Sequence, residues 1–202
     1  MNIIGFEEYF KAAILIPIVT INNKKYFLFQ KRAKNIRQGS EISFPGGQYD
    51  KILDKNFKDT AIRETIEETG IKKEKIKNIE YFGTFIDSKL YIECFTANLD
   101  IKSINELNHQ KEEVEYLFLV ETNFFKKNNM KEYSIQTWHS PYIKKYGKKV
   151  WLLPSIKLKL PKFYHKPWKK VHKNIYLYES SHGAIWGITA HIIKVFIEKY
   201  KE

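Results

Sequence analysis

The run Arg63-Glu-Thr-Ile-Glu-Glu-Thr-Gly-Ile71 constrains this chain more than any other, because Glu64, Glu67 and Glu68 fall at i, i+3 and i+4. Wound into a helix, all three carboxylates leave one face. Like charges stacked this way cost roughly 0.2–0.5 kcal/mol per pair, which points to a cation that offsets them. Clustered carboxylates suit hard, oxygen-seeking Mg²⁺ or Mn²⁺. Three glutamates alone also read as a solvated acidic face. The helix has ends legible in the sequence: Asn56 as N-cap with Asp59 three residues on, and Gly70 at the C-terminal cap. The predicted span is Phe57 to Thr69, with Ala61, Ile62, Thr65 and Ile66 on the face that packs against a sheet.

Strands flank this helix. Ala12 to Thr20 and Tyr26 to Lys31 read as two strands joined through Asn22-Asn23, a hairpin-type turn. Ile42 to Phe44 is short and extended, and Pro45-Gly46-Gly47 is expected to be a loop, since it combines a fixed φ with two permissive residues. Asn78 to Asp87 and Leu90 to Leu99 form another pair, and Tyr116 to Val120 a further strand. Between residues 126 and 178 the chain is aromatic and basic, with Pro141, Pro154, Pro161 and Pro167 expected to break any long element. Gly183 to Lys199 reads as a closing helix with Ile185, Ile188, Ile192, Val195 and Phe196 on one stripe. Together these elements imply an α/β or α+β fold with a mixed sheet between helices.

At 202 residues the chain suits one domain, 1–202, with a basic aromatic insertion at about 126–178. Cys94 is the only cysteine, so no internal disulfide forms; a reducing, cytoplasmic setting is expected, with Cys94 filling the core. Ala12 to Val19 is apolar but short, contains Pro17 and follows Glu7 and Glu8, unlike a signal peptide or a membrane span. No membrane association is therefore expected. The net charge of +12 is uneven: from Tyr133 to Tyr178 there is no Asp or Glu, while eleven lysines fall between Lys144 and Lys173. Such a surface attracts polyanions, nucleic acid among them, although a general bias towards Lys, Ile and Asn runs through the whole chain. The histidines His139, His165, His172, His182 and His191 show no zinc-ligand spacing.

Arg63, Glu64, Glu67, Glu68, Gly70 and Ile71 resemble the Nudix box, the signature of hydrolases that cleave a nucleoside diphosphate linked to another group. Gly47 lies two residues further from Arg63 than in the commonest box, and Asp50, Asp54 and Asp59 occupy a gap that contains no Glu. Phe27-Leu-Phe-Gln-Lys-Arg-Ala, Ser40-Glu-Ile-Ser-Phe-Pro-Gly-Gly-Gln-Tyr-Asp50, Lys111-Glu-Glu-Val and Ile185-Trp-Gly-Ile-Thr-Ala follow in the order of the coenzyme A diphosphatase branch. Gln38 stands near the place where that branch carries a histidine, and Asp50 and Asp54 are one residue further apart than its aspartates.

The resemblance implies an αβα sandwich and metal-dependent hydrolysis of coenzyme A or its derivatives to 3′,5′-ADP and 4′-phosphopantetheine. Glu64, Glu67 and Glu68, with the Gly47 carbonyl, are then the candidate ligands for Mg²⁺ or Mn²⁺. Glu64, Glu112 or Glu113 is the candidate general base, and Arg63 orients a glutamate through an ion pair. Arg32 and Arg37 are candidates for substrate phosphates, since guanidinium forks suit phosphate. Trp186 is expected in the core. ADP-ribose, NADH and dinucleoside polyphosphates remain open as substrates, as does an RNA-binding Nudix domain. Monomer and homodimer are both compatible with the sequence.

Overall fold

The structure is a computed structural model that describes residues 4–126 and 129–200. They divide into two compact units: one runs to Met130 and resumes at Tyr178, the other is Lys131–Leu177.

The first unit is built on the hairpin of β1 (Phe10–Ile21) and β2 (Lys24–Arg32). Asn22 and Asn23 both take positive φ, 49° and 61°, so the turn follows the twist of its strands and pairs Ile21 with Lys24. This ladder stops at Ile18–Phe27, and the two strands then diverge. Into the fork come β3 (Ile42–Ser43), paired with β2, and β4 (Gly46–Gln48), paired with β1. The Pro-Gly-Gly segment is therefore largely a strand and not the expected loop. Gly46 makes this possible: at φ 151° its position leaves no room for a Cβ, which would stand 2.4 Å from the Ala13 carbonyl oxygen.

On the far edge of β1 the parallel strand β6 (Leu90–Leu99) pairs along its length, and β5 (Ile76–Asp87) pairs antiparallel with β6. Strand β7 (Val114–Glu121) closes the other side against β2. Helix α1 (Phe57–Thr69) covers one face, where Ala61 joins Ala13, Leu15, Val19 and Leu28 in a buried cluster. The opposite face is aromatic. Phe27 and Phe29 meet Phe44, Phe118 and Phe125, the last from α2 (Thr122–Lys126), and Phe27 lies 5.0 Å from Phe196. Phe196 belongs to α3 (Gly187–Lys199), so the sheet lies between helices in the expected sandwich.

That last helix is shorter than the sequence suggested. Gly183–Trp186 forms a strand of its own, and Gly187, at φ 64°, separates it from α3. Ile185 is buried on this strand, whereas Val195 is exposed and Trp186, expected in the core, is 45% exposed. Ala190, Ile193 and Ile197 supply the inward stripe with Ile192 and Phe196. In the second unit the prolines bound long elements without breaking them. Strand Met130–His139 ends before Pro141, and strand Trp168–Ser180 begins after Pro167; the two lie side by side in one sheet. Between them Tyr142–Lys145 and Lys148–Trp151 form a separate hairpin.

Candidate active site

Helix α1 starts where Asn56 Oδ1 accepts the Asp59 amide at 3.0 Å and ends at Gly70, φ 69°. With Ala61 packed into the core cluster, the helix turns Glu64 and Glu68 towards the fork between β1 and β2. From below, alternation along β2 turns Leu28, Gln30 and Arg32 to the same side. The fork is thus lined by carboxylates from the helix and by an amide and a guanidinium from the strand.

Glu68 is only 2% exposed. Its Oε2 accepts the Gly46 amide at 2.9 Å, and its Oε1 lies 3.8 Å from Arg32 Nη1. Burial pushes its carboxyl up to about 7; the Gly46 amide, the Gln30 side chain and Arg32 oppose this, while the nearby Glu64 charge reinforces it. Glu64 is likewise raised by burial, against the pull of Arg63, with the charges of Glu67 and Glu113 adding to the rise. A Cβ at Gly47 would stand 2.3–2.6 Å from all three atoms of the Glu64 carboxylate, so the absence of a side chain there is what seats Glu64 in the fork.

Arg63 ties the cluster together. Its Nε and Nη2 grip Asp54 at 2.9 and 3.0 Å, and Nη1 reaches Glu64 at 2.8 Å and Glu67 at 2.9 Å. Asp54 is buried and also accepts from Thr60 Oγ1 and the Asp50 amide. With Arg63 as the first cause, its carboxyl falls to about 2, and Arg63 in turn is held well above its ordinary range. Asp54 is a site residue that the box alone did not single out. Its signal was faint: a carboxylate in the gap before Arg63, one residue out of the expected aspartate spacing.

The remaining candidates separate. Glu67 leans to Arg63 and its side chain is 50% exposed, so it does not join Glu68. Among the described residues no three His, Cys, Asp or Glu side chains converge on one point as a metal cage. Each carboxylate is drawn instead to its own donor: Gly46 N–H for Glu68, Arg63 for Glu64 and Glu67. Glu112 and Glu113 stand exposed in the turn before β7. Arg32 is inside the fork, its Nη2 donating to the Arg37 carbonyl at 3.4 Å; the Arg37 guanidinium lies 5.8 Å from the Phe10 ring centre. Gln30, fully buried beside Glu68, was not anticipated.

Two observations suit this fork to a hard divalent cation. Glu64 and Glu68 are partly or fully buried and repel each other, a cost that a cation between them would remove. Gln30 Oε1, an oxygen donor of the type such ions accept, is buried there without a hydrogen-bond partner.

A model of the NUDIX domain matches residues 10–145. The chain is similar to the peroxisomal coenzyme A diphosphatase NUDT7 of Mus musculus, 26% identical over 117 residues that make up 57% of this chain and 48% of that protein. It is also similar to Nudix hydrolase 3 of Caenorhabditis elegans, 36% identical over 66 residues, 32% of this chain and 27% of that one. The chain thus spans about half or less of the length of these curated relatives. A MutT/nudix family protein from Enterococcus faecalis has the same fold over 98% of this chain and 64% of its own, at TM-score 0.51 and 15% identity.

Proposed function

The chain belongs to the Nudix family, and we propose that it hydrolyses the diphosphate of coenzyme A or its derivatives with the help of Mg²⁺ or Mn²⁺. The reading rests on the Glu64–Glu68 pair held in the fork beside Arg63 and Arg32. A divalent ion bound there supplies charge neutralisation on the phosphates and a more acidic water. Glu64 and Glu68 would hold it, with Glu67 available once released from Arg63, and the Gly47 carbonyl and Gln30 Oε1 near at hand.

Hydrolysis joins a water oxygen to one phosphorus and breaks the bridging P–O bond, whose electron pair leaves with the other phosphate. The water proton needs an acceptor. Glu113, whose charge reaches Glu64, fits that role; Glu64 is the alternative in an arrangement where it is not itself a ligand of the ion. Arg63 does not face the phosphates; anchored by Asp54, it holds Glu64 in place. Arg32 brings a guanidinium into the fork, a set of donors suited to a substrate phosphate. Support for coenzyme A comes from the ordered segments around the box and from the similarity to a coenzyme A diphosphatase. We place the protein in a reducing, cytoplasmic setting, consistent with its buried lone thiol.

The test is a hydrolysis screen of coenzyme A, ADP-ribose, NADH and diadenosine polyphosphates with Mg²⁺ and Mn²⁺. Coenzyme A is expected to give the highest kcat/KM. A preference for ADP-ribose of about tenfold or more, some 1.4 kcal/mol in transition-state stabilisation, would move the substrate while leaving the diphosphatase chemistry intact.

A further inference from the structure

The second compact unit, Lys131–Leu177, carries twelve lysines and a single acid, Glu132, which gives it +11 of the chain's net +12. Glu132 already accepts from the Asn174 amide at 2.6 Å. The hairpin at the centre of this unit concentrates the charge. Lys145 pairs across the ladder with Lys148, and Lys144 with Lys149. Like charges directly opposite one another destabilise a strand pair, so this hairpin is built against its own electrostatics.

It is nonetheless well made. Tyr146 and Gly147 both take positive φ, 50° and 75°, giving the tight two-residue turn that matches strand twist. At the base, Tyr142 and Trp151 meet edge to face at 5.2 Å, and Lys149 Nζ lies 4.6 Å from the Tyr142 ring centre. Both Leu152 and Leu153 amides donate to the Pro141 carbonyl. The ribbon therefore presents four lysines and, at its apex, a fully exposed tyrosine.

Alternation distributes the charge over both faces. Lys144 and Lys149 share a face with Tyr142 and Trp151; Lys145 and Lys148 share the other with Ile143 and Val150. A planar anionic bilayer could meet only one of these faces or the tip. A flexible polyanion can follow both, and one that also carries flat rings can stack on Tyr146.

We propose that the Tyr142–Trp151 hairpin binds single-stranded nucleic acid, the lysine pairs contacting successive phosphates and Tyr146 stacking on a base. This binding stands apart from the diphosphatase reading and needs no residue of the fork between β1 and β2.

The experiment is fluorescence anisotropy of the full chain with a labelled mixed-sequence RNA strand of about 16 nucleotides, titrated at several salt concentrations. Neutralising Lys144, Lys145, Lys148 and Lys149 to Gln is expected to flatten the slope of log K against log salt by about 3, since each single-strand phosphate contact contributes about 0.7. Tyr146→Asn keeps a residue that tolerates positive φ but removes the ring. It is expected to weaken binding by about 5- to 100-fold with the slope unchanged. Circular dichroism checks that both variants fold; if the quadruple variant does not, the pair Lys145→Gln/Lys148→Gln replaces it, with a slope change of about 1.4. Hydrolysis of small diphosphate substrates should be the same in all of them. The proposal is overturned if no strand binds, or if Tyr146→Asn binds as the wild type does. It is equally overturned if phosphatidylglycerol vesicles bind the hairpin and excess RNA fails to displace them.

Discussion

Replacing Glu68 by glutamine should make the metal-free protein more stable above neutral pH while removing its activity. In the folded chain the Glu68 carboxyl is pushed up to about 7 from its ordinary value of 4.5. Because the folded-state value is the higher one, the contribution to stability is fully present below about 4.5 and is lost as pH rises through 7. The difference of 2.5 pH units corresponds to about 3 kcal/mol withdrawn from the fold at pH 8. Glutamine has no charge to bury, and its carbonyl can still accept from the Gly46 amide, although more weakly. Allowing about 1 kcal/mol for that weaker bond leaves a net gain of about 2 kcal/mol. For a chain of this size that is an upward Tm shift of about 4–8 °C.

Thermal unfolding in excess chelator, followed by circular dichroism between pH 5 and 8.5, measures this directly. The two proteins should unfold together near pH 5 and separate progressively as pH rises. Turnover of a diphosphate substrate with saturating Mg²⁺ should meanwhile fall by several orders of magnitude, since an anionic group of the proposed metal site is gone. A variant that is less stable than wild type at pH 8 in chelator would refute the burial argument. Near-normal turnover would refute the assignment of Glu68 to the site.

The two glycines of the fork should respond oppositely. Gly47→Ala drives a methyl group to within 2.3 Å of the Glu64 carboxylate, about 1 Å inside ordinary contact, so Glu64 must swing away: kcat should drop at least tenfold with Tm nearly unchanged. In Gly46→Ala the methyl group meets backbone at 2.4 Å in a conformation side chains rarely adopt, and urea unfolding should show a loss of about 3 kcal/mol. Asp54→Asn removes the bidentate anchor of Arg63 and should cost about 2 kcal/mol at pH 7 as well as reducing kcat. With the Asp54 carboxyl held at about 2, that stability is present above its ordinary 3.8 and disappears as pH falls through 2, so the gap from wild type should narrow in acid denaturation. Cys94, buried and pushed up to about 12 mainly by its apolar surroundings, should resist a disulfide reagent at pH 8 in the native protein and react at once in guanidinium.

The parts of this protein that local chemistry controls were legible in the sequence alone. Asn56 and Gly70 delimit α1 at Phe57–Thr69 because a cap acts within one helical turn. Asn22-Asn23 set the first hairpin because a two-residue turn depends on its own φ angles. The spacing of Glu64 and Glu68, one helical turn apart, turns both towards the fork. Where the partner is distant in sequence, only the tertiary structure decided. Strand β4 exists because β2 leaves the edge of β1 open at Ala12–Ile14, which no property of Gly46–Gln48 announces. Strand Trp168–Ser180 shares a sheet with Met130–His139, a pairing hidden by the lysines and prolines between them. The stripe assigned to the last helix included Ile185 because periodicity cannot detect the turn at Gly187, φ 64°, that ends its strand. Above all, three equal glutamates became unequal in the fold. Glu68 is buried under Gly46, Glu64 is seated on Gly47, and Glu67 stays half exposed on Arg63, since burial and the choice of donor are properties of the packed surroundings and not of the residue.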